Sequence, residues 1–188
     1  LTRPPGGGPV RDIYVDPEES RLGLAALGPA PGEGESARIL RTVNGGVSWD
    51  DVTADLPEGA ANAVVADRQA GAVYAATDRG LFLSFMDLLS AGPAGSWIPI
   101  AGALPPAAVV DVALDSSGNQ LFVALRGHGV FAAPAPHRYR DIRVVNAADY
   151  SRRPAAPGSL LSVLGARLRR AQAGYLDAPV LHASELES

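Results

Sequence analysis

The sequence contains neither cysteine nor lysine among its 188 residues, and it has only three histidines. Without cysteine the chain has no disulfide, no thiolate nucleophile and no cysteine-based metal site. His128, His137 and His182 are far apart and lie in different sequence contexts, unlike the clustered ligands of a histidine metal centre. The sequence therefore predicts no metal and no cofactor.

Positive charge comes from arginine alone, because the 16 basic residues include no lysine. The arginines are scattered and the formal net charge is −4, which gives no basic footprint for nucleic acid. No apolar run approaches the ~20 residues that a membrane-spanning helix needs. We predict no nucleic-acid partner and no membrane span.

Familiar catalytic motifs are missing as well. The Gly-x-Ser-x-Gly turn that presents a serine nucleophile does not occur. Gly6-Gly7-Gly8 lacks the following helix and the Lys-Ser/Thr pair of a phosphate-binding loop. Asp50 and Asp51 are adjacent on a predicted strand and point to opposite faces, so they cannot act as a carboxylate pair. The sequence predicts no catalytic residue.

What the sequence does contain is an internal repeat of about fifty residues. In each copy a proline turn leads into a short apolar strand that ends at an aspartate: Asp16, Asp67 or Asp115. Trp49 and Trp97, near the ends of the first two copies, are 48 residues apart. A period of this length has room for four short strands.

The predicted strands are short, apolar or alternating, and bounded by Gly, Pro or Asp. They cover 12–15, 22–27, 38–43 and 48–53, then 63–67, 72–77, 81–85 and 97–101, then 109–114, 121–125 and 130–133. Four antiparallel strands per repeat are typical of a β-propeller blade, and a closed ring takes about four to eight blades. We predict an all-β fold with a partial β-propeller of about three four-stranded blades.

The segment 42–49 reads Thr-Val-Asn-Gly-Gly-Val-Ser-Trp and resembles the Asp-box, or BNR repeat, of sialidase-, xyloglucanase- and sortilin-like β-propellers. Gly45 and Gly46 supply positive φ at a tight turn. Asn44 stands where most copies carry aspartate, and either side chain can accept hydrogen bonds from the amides of the turn. The ring of Trp49 is expected to anchor the blade's outer strand.

A second copy of the motif is interrupted, because an insertion at 88–94 separates Asp87 from Trp97. In the families that it resembles, the motif is a folding device that lies away from the active site. The resemblance therefore implies a scaffold and no particular chemistry. It assigns structural roles to seven residues: Asn44, Gly45, Gly46, Ser48, Trp49, Asp87 and Trp97.

A second resemblance follows the third repeat. Residues 144–150 and 157–168 look like the opening of an immunoglobulin-like domain found at the ends of large bacterial secreted proteins. About 45 residues remain after Arg143, fewer than the seven or so strands of such a sandwich need. We predict propeller blades at 1–136, ending in a stiff Pro-Ala-Pro stretch, and a linker with the truncated beginning of an immunoglobulin-like β-sandwich domain at 137–188.

The number of repeats is too small for a closed propeller ring. Leu1 falls where a preceding blade should just have ended, so we expect a chain cut from a larger propeller. Open blade edges and apolar faces favour self-association, and two copies closing a six-bladed ring is an alternative. The two resemblances imply a bacterial protein that is secreted or located in the cell envelope.

Ligands of β-propellers usually meet the loops around the central channel. In this sequence these are the turns at 28–36, 77–80 and 126–129 and the blade connections at 57–62 and 105–108. The polar side chains expected to face the channel are Asp78, Arg79, Arg126 and His128. The competing interpretation is structural, because Asp-Arg-Gly is an ordinary turn that starts a strand and His128 between two glycines suits a solvated hairpin.

Three hypotheses for function remain open. The first is a non-catalytic propeller scaffold that binds a glycan or a protein partner, or acts as a spacer between domains. The second is a fragment of an Asp-box glycoside hydrolase of the sialidase or xyloglucanase type, although no motif of a sialidase active site can be placed on this sequence. The third is a propeller used in the assembly or sorting of partner proteins.

Overall fold

The computed structural model describes residues 8–30, 38–92, 95–100, 104–138, 143–146 and 161–164. Within these ranges the secondary structure is antiparallel β-sheet, apart from one short 3-10 turn at Pro136–Arg138. The prediction of an all-β fold is confirmed. The chain divides into two compact units, Leu1–Tyr139 and Arg140–Ser188. No described helix is long and apolar enough to cross a membrane.

The first unit contains three sheets, and in each the strands are hydrogen-bonded in chain order. Sheet 1 contains β1 (Val10–Val15), β2 (Gly23–Leu27), β3 (Arg38–Thr42) and β4 (Asp50–Asp51). Sheet 2 contains β5 (Ala61–Asp67), β6 (Ala72–Thr77), β7 (Gly80–Phe85) and β8 (Ile98–Pro99). Sheet 3 contains β9 (Val109–Leu114), β10 (Gln120–Leu125) and β11 (Gly129–Pro134).

The outer strands are shorter than predicted. The structure assigns two residues each to β4 and β8. Sheet 3 has, within the described ranges, the three strands predicted for the third repeat. In sheet 2, Pro99 has no N–H to continue the ladder. In sheet 1, the Asp51 carboxylate accepts the backbone N–H of Thr53 at 2.9 Å, a local bond that competes with strand pairing.

The three sheets stack face to face, with β5 lying beside both β1 and β9. Along β6 the side chains alternate between the two interfaces: Val73 and Ala75 face sheet 1, whereas Tyr74 and Ala76 face sheet 3. Because sheet 2 is covered on both sides, β6 has no exposed residue and its sequence reads as one continuous apolar run.

Each interface has its own apolar core. The core between sheets 1 and 2 includes Leu22, Leu24, Ile39, Val52, Val64, Val73, Phe82 and Trp97. The core between sheets 2 and 3 includes Tyr74, Leu81, Leu83, Val109, Val112, Leu121, Val123 and Leu125. The outer faces at the two ends of the stack expose large apolar side chains, among them Ile13 on sheet 1 and Phe122 and Val130 on sheet 3.

The aspartate that ends the first strand of each repeat closes the turn that follows. Asp16, Asp67 and Asp115 all accept backbone N–H groups from residues further along the turn. Asp16 Oδ1 lies 2.9 Å from the nitrogen of Glu18, and Asp115 Oδ1 lies 2.7 Å from that of Gln120. These carboxylates replace the hydrogen bonds that the chain loses on leaving the strand.

The second unit is described at two strands. β12 (Arg143–Asn146) pairs antiparallel with β13 (Leu161–Leu164), with Arg143 opposite Leu164 and Asn146 opposite Leu161. The rest of the predicted sandwich, including the segments 147–160 and 165–188, lies outside the described residues. An immunoglobulin-like domain therefore stays a prediction.

Candidate binding cleft

The turn between β6 and β7 is held by its own side chains. Thr77 Oγ1 accepts the backbone N–H of Arg79 at 3.0 Å and donates to the carbonyl of Gly80 at 2.9 Å. Gly80 has φ of 127°, which side-chain-bearing residues rarely adopt. The backbone N–H of Asp78 donates to the carbonyl of Ala60 at 3.1 Å. These hydrogen bonds therefore hold the backbone of Asp78 and Arg79 in one conformation.

A buried asparagine links this turn to the neighbouring sheet. Asn62 Nδ2 donates to Asp78 Oδ1 at 3.0 Å and to the backbone carbonyl of Val109 at 2.8 Å. Arg126, in the turn after β10, places Nη2 3.7 Å from the same Asp78 oxygen. The structure therefore brings together Asp78 and Arg126, two of the predicted site residues. Asn62 was not predicted as a site residue, because it was assigned to the blade connection at 57–62, whereas the structure places it in β5.

The other two predicted site residues are also at this end of the strands. Arg79 is exposed, and its Nε donates to the backbone carbonyl of Glu58 at 3.3 Å. His128 is exposed as well, with Nδ1 3.0 Å from the backbone oxygen of Arg126. Neither His128 nor Arg126 lines the cleft described next, but Arg126 pairs with Asp78, which does line it.

A cleft of about 560 Å³ opens between sheets 2 and 3 beside these turns. Asp78 and Arg79 provide its charged groups, and the remaining lining residues are apolar or glycine. They are Gly80, Leu81, Phe82, Pro99, Ile100, Leu104, Pro105, Pro106, Ala107, Ala108, Val109 and Leu125. An apolar cleft with a few fixed polar groups suits the binding of a ligand.

A smaller cleft of about 310 Å³ lies at the opposite ends of the strands, between the three aspartate turns. Its carboxylates are engaged: Arg68 pairs with Asp16 at 3.3 Å and with Glu18. Backbone N–H groups, led by that of Gln120, lower the pKa of Asp115 to about 2. No group of three or more metal-ligating side chains occurs in the part of the chain that the structure describes.

The Asp-box-like turn of sheet 1 lies at that same end, away from the large cleft. Asn44 Oδ1 accepts the backbone N–H of Ser48 at 2.9 Å, and Asn44 Nδ2 donates to Ser48 Oγ at 2.8 Å. Gly45 and Gly46 have φ of 71° and 84°. Trp49 is half-buried against Ala25, Leu27 and Leu40 on the outer face of sheet 1.

The corresponding tryptophan of sheet 2 is placed differently. Trp97 is buried in the core between sheets 1 and 2, where its Nε1 donates to the carbonyl of Val52 at 3.4 Å. Asp87 accepts the backbone N–H of Leu89 at 2.9 Å at the start of the insertion. The fully buried guanidinium of Arg41 clamps this insertion by donating to the carbonyls of Asp87 (2.8 Å) and Gly92 (2.9 Å).

Comparison with known proteins supports the fold. No family model matches the sequence, and no curated protein matches it. Among solved structures, the crystal structure of an ancestral GH74 enzyme matches with a TM-score of 0.50 and 21% sequence identity. The match covers 68% of this chain and 19% of that one. GH74 enzymes are β-propeller glycoside hydrolases, and the predicted partial β-propeller is confirmed as a fold.

Proposed function

We propose that the partial β-propeller is a non-catalytic binding scaffold that holds a glycan or a protein partner in the cleft between sheets 2 and 3. The observation that carries this proposal is the fixed position of Asp78 in a cleft whose described lining is apolar or glycine apart from Asp78 and Arg79. Asn62 holds the Asp78 carboxylate from the buried side, and Arg126 approaches it from sheet 3. A ligand would therefore meet a charged group that needs no reorganisation.

A single carboxylate among the described residues of the cleft favours binding over hydrolysis. Glycoside hydrolysis commonly takes two carboxyl groups, about 5 to 9.5 Å apart, on either side of the bond that breaks. Asp78 is the only carboxylate among the described lining residues, and its Oδ1 already accepts a hydrogen bond from Asn62.

A glycoside-hydrolase fragment is the second candidate, and the likeness to the GH74 enzyme favours it. This chain spans about a fifth of that enzyme's length. A catalytic pair formed across a larger ring would therefore include residues from outside this chain.

We also infer that 42–49 is an Asp-box and that the parent protein is bacterial and secreted or in the cell envelope. The bond from the backbone N–H of Ser48 to Asn44 Oδ1 supports the first inference, because an aspartate carboxylate can accept that N–H in the same way. The opening of the second unit at β12 and β13 supports an immunoglobulin-like domain after the propeller.

Affinity electrophoresis in gels that contain xyloglucan or sialylated glycans would test the glycan arm of the proposal. The wild-type chain should be retarded, and Asp78→Ala and Arg79→Ala should each restore free migration. Asp51→Ala, an exposed aspartate on β4, is the matched control and should migrate like the wild type. Release of reducing sugar by the wild-type chain would favour the hydrolase candidate. If no glycan causes retardation, the glycan arm is wrong and a protein ligand is the remaining form of the proposal.

A further inference from the structure

The polypeptide that leaves sheet 3 crosses to sheet 2 before it passes into the second unit. The crossing is made by residues 135–138, called here the exit segment. Ala135 is fully buried in the core between sheets 2 and 3, and its N–H donates to the carbonyl of Asn119 at 2.7 Å. A stiff linking stretch was predicted at 134–136, whereas Pro134 is the last residue of β11.

His137 attaches the exit segment to two residues of sheet 2. Its Nε2 lies 2.8 Å from Asp67 Oδ2, and its Nδ1 lies 2.8 Å from Tyr74 Oη. The backbone N–H of His137 donates to the same tyrosine oxygen at 3.1 Å. One proton arrangement satisfies all three contacts: Nε2–H donates to Asp67, and the Tyr74 hydroxyl donates to Nδ1.

Arg138 adds a second attachment that spans both sheets. Its Nη2 lies 2.7 Å from Asp67 Oδ2 in sheet 2. The same guanidinium donates to two carbonyls of the β9–β10 turn in sheet 3, those of Gly118 at 3.1 Å and Ser117 at 3.0 Å. The Asp67 carboxylate therefore contacts the side chains of two consecutive residues of the exit segment, His137 and Arg138.

The burial of these side chains indicates that their contacts have a structural role and not a catalytic one. The side chain of His137 and the whole of Tyr74 are 0% exposed, and the Asp67 side chain is 8% exposed. A substrate has no access to the imidazole or to the phenol. The same burial keeps water from competing for the hydrogen bonds, which makes them hard to break singly.

We propose that the exit segment is a mechanical anchor, which transfers tension on the chain beyond residue 138 to sheet 2 and to the β9–β10 turn and so spares the pairing of β11 with β10. Sheet 2 is covered on both faces, whereas Phe122 is 38% and Val130 is 72% exposed on the outer face of sheet 3. Among the strands that the structure describes, β11 is paired with β10 alone. Tension applied directly at Pro134 would open the β10–β11 pairs one after another from Gln120 onward. With the anchor engaged, that tension reaches His137 and Arg138 first.

Single-molecule pulling on the full chain tests this proposal. The sequence has no cysteine, so Val47→Cys, at an exposed loop position, and Ser188→Cys provide two unique handles. The wild-type anchor should prevent early release of sheet 3. The double variant His137→Ala and Arg138→Ala should add a low-force step in which about 30 residues, from sheet 3 and the exit segment, extend by about 10 nm at roughly 3.4 Å per residue.

Two further variants make the experiment specific. His128→Ala removes an exposed histidine from sheet 3 and should leave the traces unchanged. Asp67→Asn keeps an oxygen for the N–H of Ala70 but removes the Oδ2 acceptor that His137 and Arg138 share, so it should show the same early step even if the double variant does not fold. The proposal is overturned if neither variant produces the step, or if the wild type already releases sheet 3 at that force.

Discussion

The carboxylate of Asp12 accepts the backbone N–H of Val64, with Oδ2 2.9 Å from the nitrogen. This bond joins the first strand of sheet 1 to the first strand of sheet 2, and Val64 is buried. Asp111 has the equivalent position in sheet 3. Each aspartate also accepts the N–H of the residue that follows it, at 2.8 Å, but Asp111 is exposed.

This pair of aspartates gives a matched stability prediction. Asp12→Ala should lower the free energy of unfolding by about 1–3 kcal/mol, because it leaves a buried N–H without an acceptor. Asp111→Ala loses only the local bond at an exposed site and should cost about 0.5 kcal/mol. Urea unfolding followed by circular dichroism measures both values. Equal losses would show that the bond between the sheets contributes nothing.

The two tryptophans should differ in the same assay. Trp97→Ala removes a ring that is 6% exposed in the core between sheets 1 and 2, and should cost about 3–5 kcal/mol. Trp49 is only half-buried on an outer face, so Trp49→Ala should cost clearly less. A larger loss for Trp49 would contradict the placement of these rings.

Tyr74 predicts a loss of stability in alkali. Burial raises the pKa of Tyr74 to about 12, and the nearby Asp67 carboxylate adds to the rise. The folded pKa exceeds the unfolded value of about 10. The stability that the protein gains from burying the neutral phenol is therefore fully present below pH 10 and is lost as the pH rises towards 12. The free energy of unfolding, measured at pH 8, 10 and 11.5, should fall more steeply for the wild type than for Tyr74→Phe. Parallel curves would contradict the burial of the phenol.

Asn44 tests the chemistry of the turn at 42–49. Asn44→Asp keeps the oxygen that accepts the N–H of Ser48, and the Ser48 hydroxyl can donate to the new carboxylate, so stability should change by about 0.5 kcal/mol or less. Asn44→Ala removes the acceptor and should cost about 1 kcal/mol. Thermal unfolding of the two variants separates these outcomes, and an alanine variant as stable as the aspartate variant would contradict the assigned role.

The exposed outer faces predict self-association. Phe122 and Val130 lie on the uncovered face of sheet 3, and Ile13 lies on that of sheet 1. Light scattering on a size-exclusion column should show the wild-type mass rising with concentration, because exposed apolar faces associate. The double variant Phe122→Arg and Val130→Arg should be closer to the monomer mass. Val47→Arg, at an exposed loop residue, should behave like the wild type, and a wild-type chain that stays monomeric would contradict the expectation.

The positions of the strands were largely predictable because they depend on local signals. Apolar runs bounded by Gly, Pro and Asp located every strand of the three sheets, and the repeated aspartates marked the turns after β1, β5 and β9. The fourth strands were predicted too long, since Pro99 and the local bond of Asp51 limit pairing in ways that hydrophobicity does not show. The predicted site residues Asp78 and Arg126 met across two sheets, but the sequence did not identify Asn62 as the residue that fixes Asp78.

The sequence by itself determined the all-β class, the repeat and the turn chemistry, because strand periodicity and turn residues act over a few neighbouring positions. Only the tertiary structure decided which distant groups share a buried space. His137 meets Asp67 and Tyr74 from 70 and 63 residues away, and Arg41 reaches an insertion 46 to 51 residues further on. Such contacts depend on how sheets pack face to face, and packing joins residues whose separation in sequence carries no periodic signal.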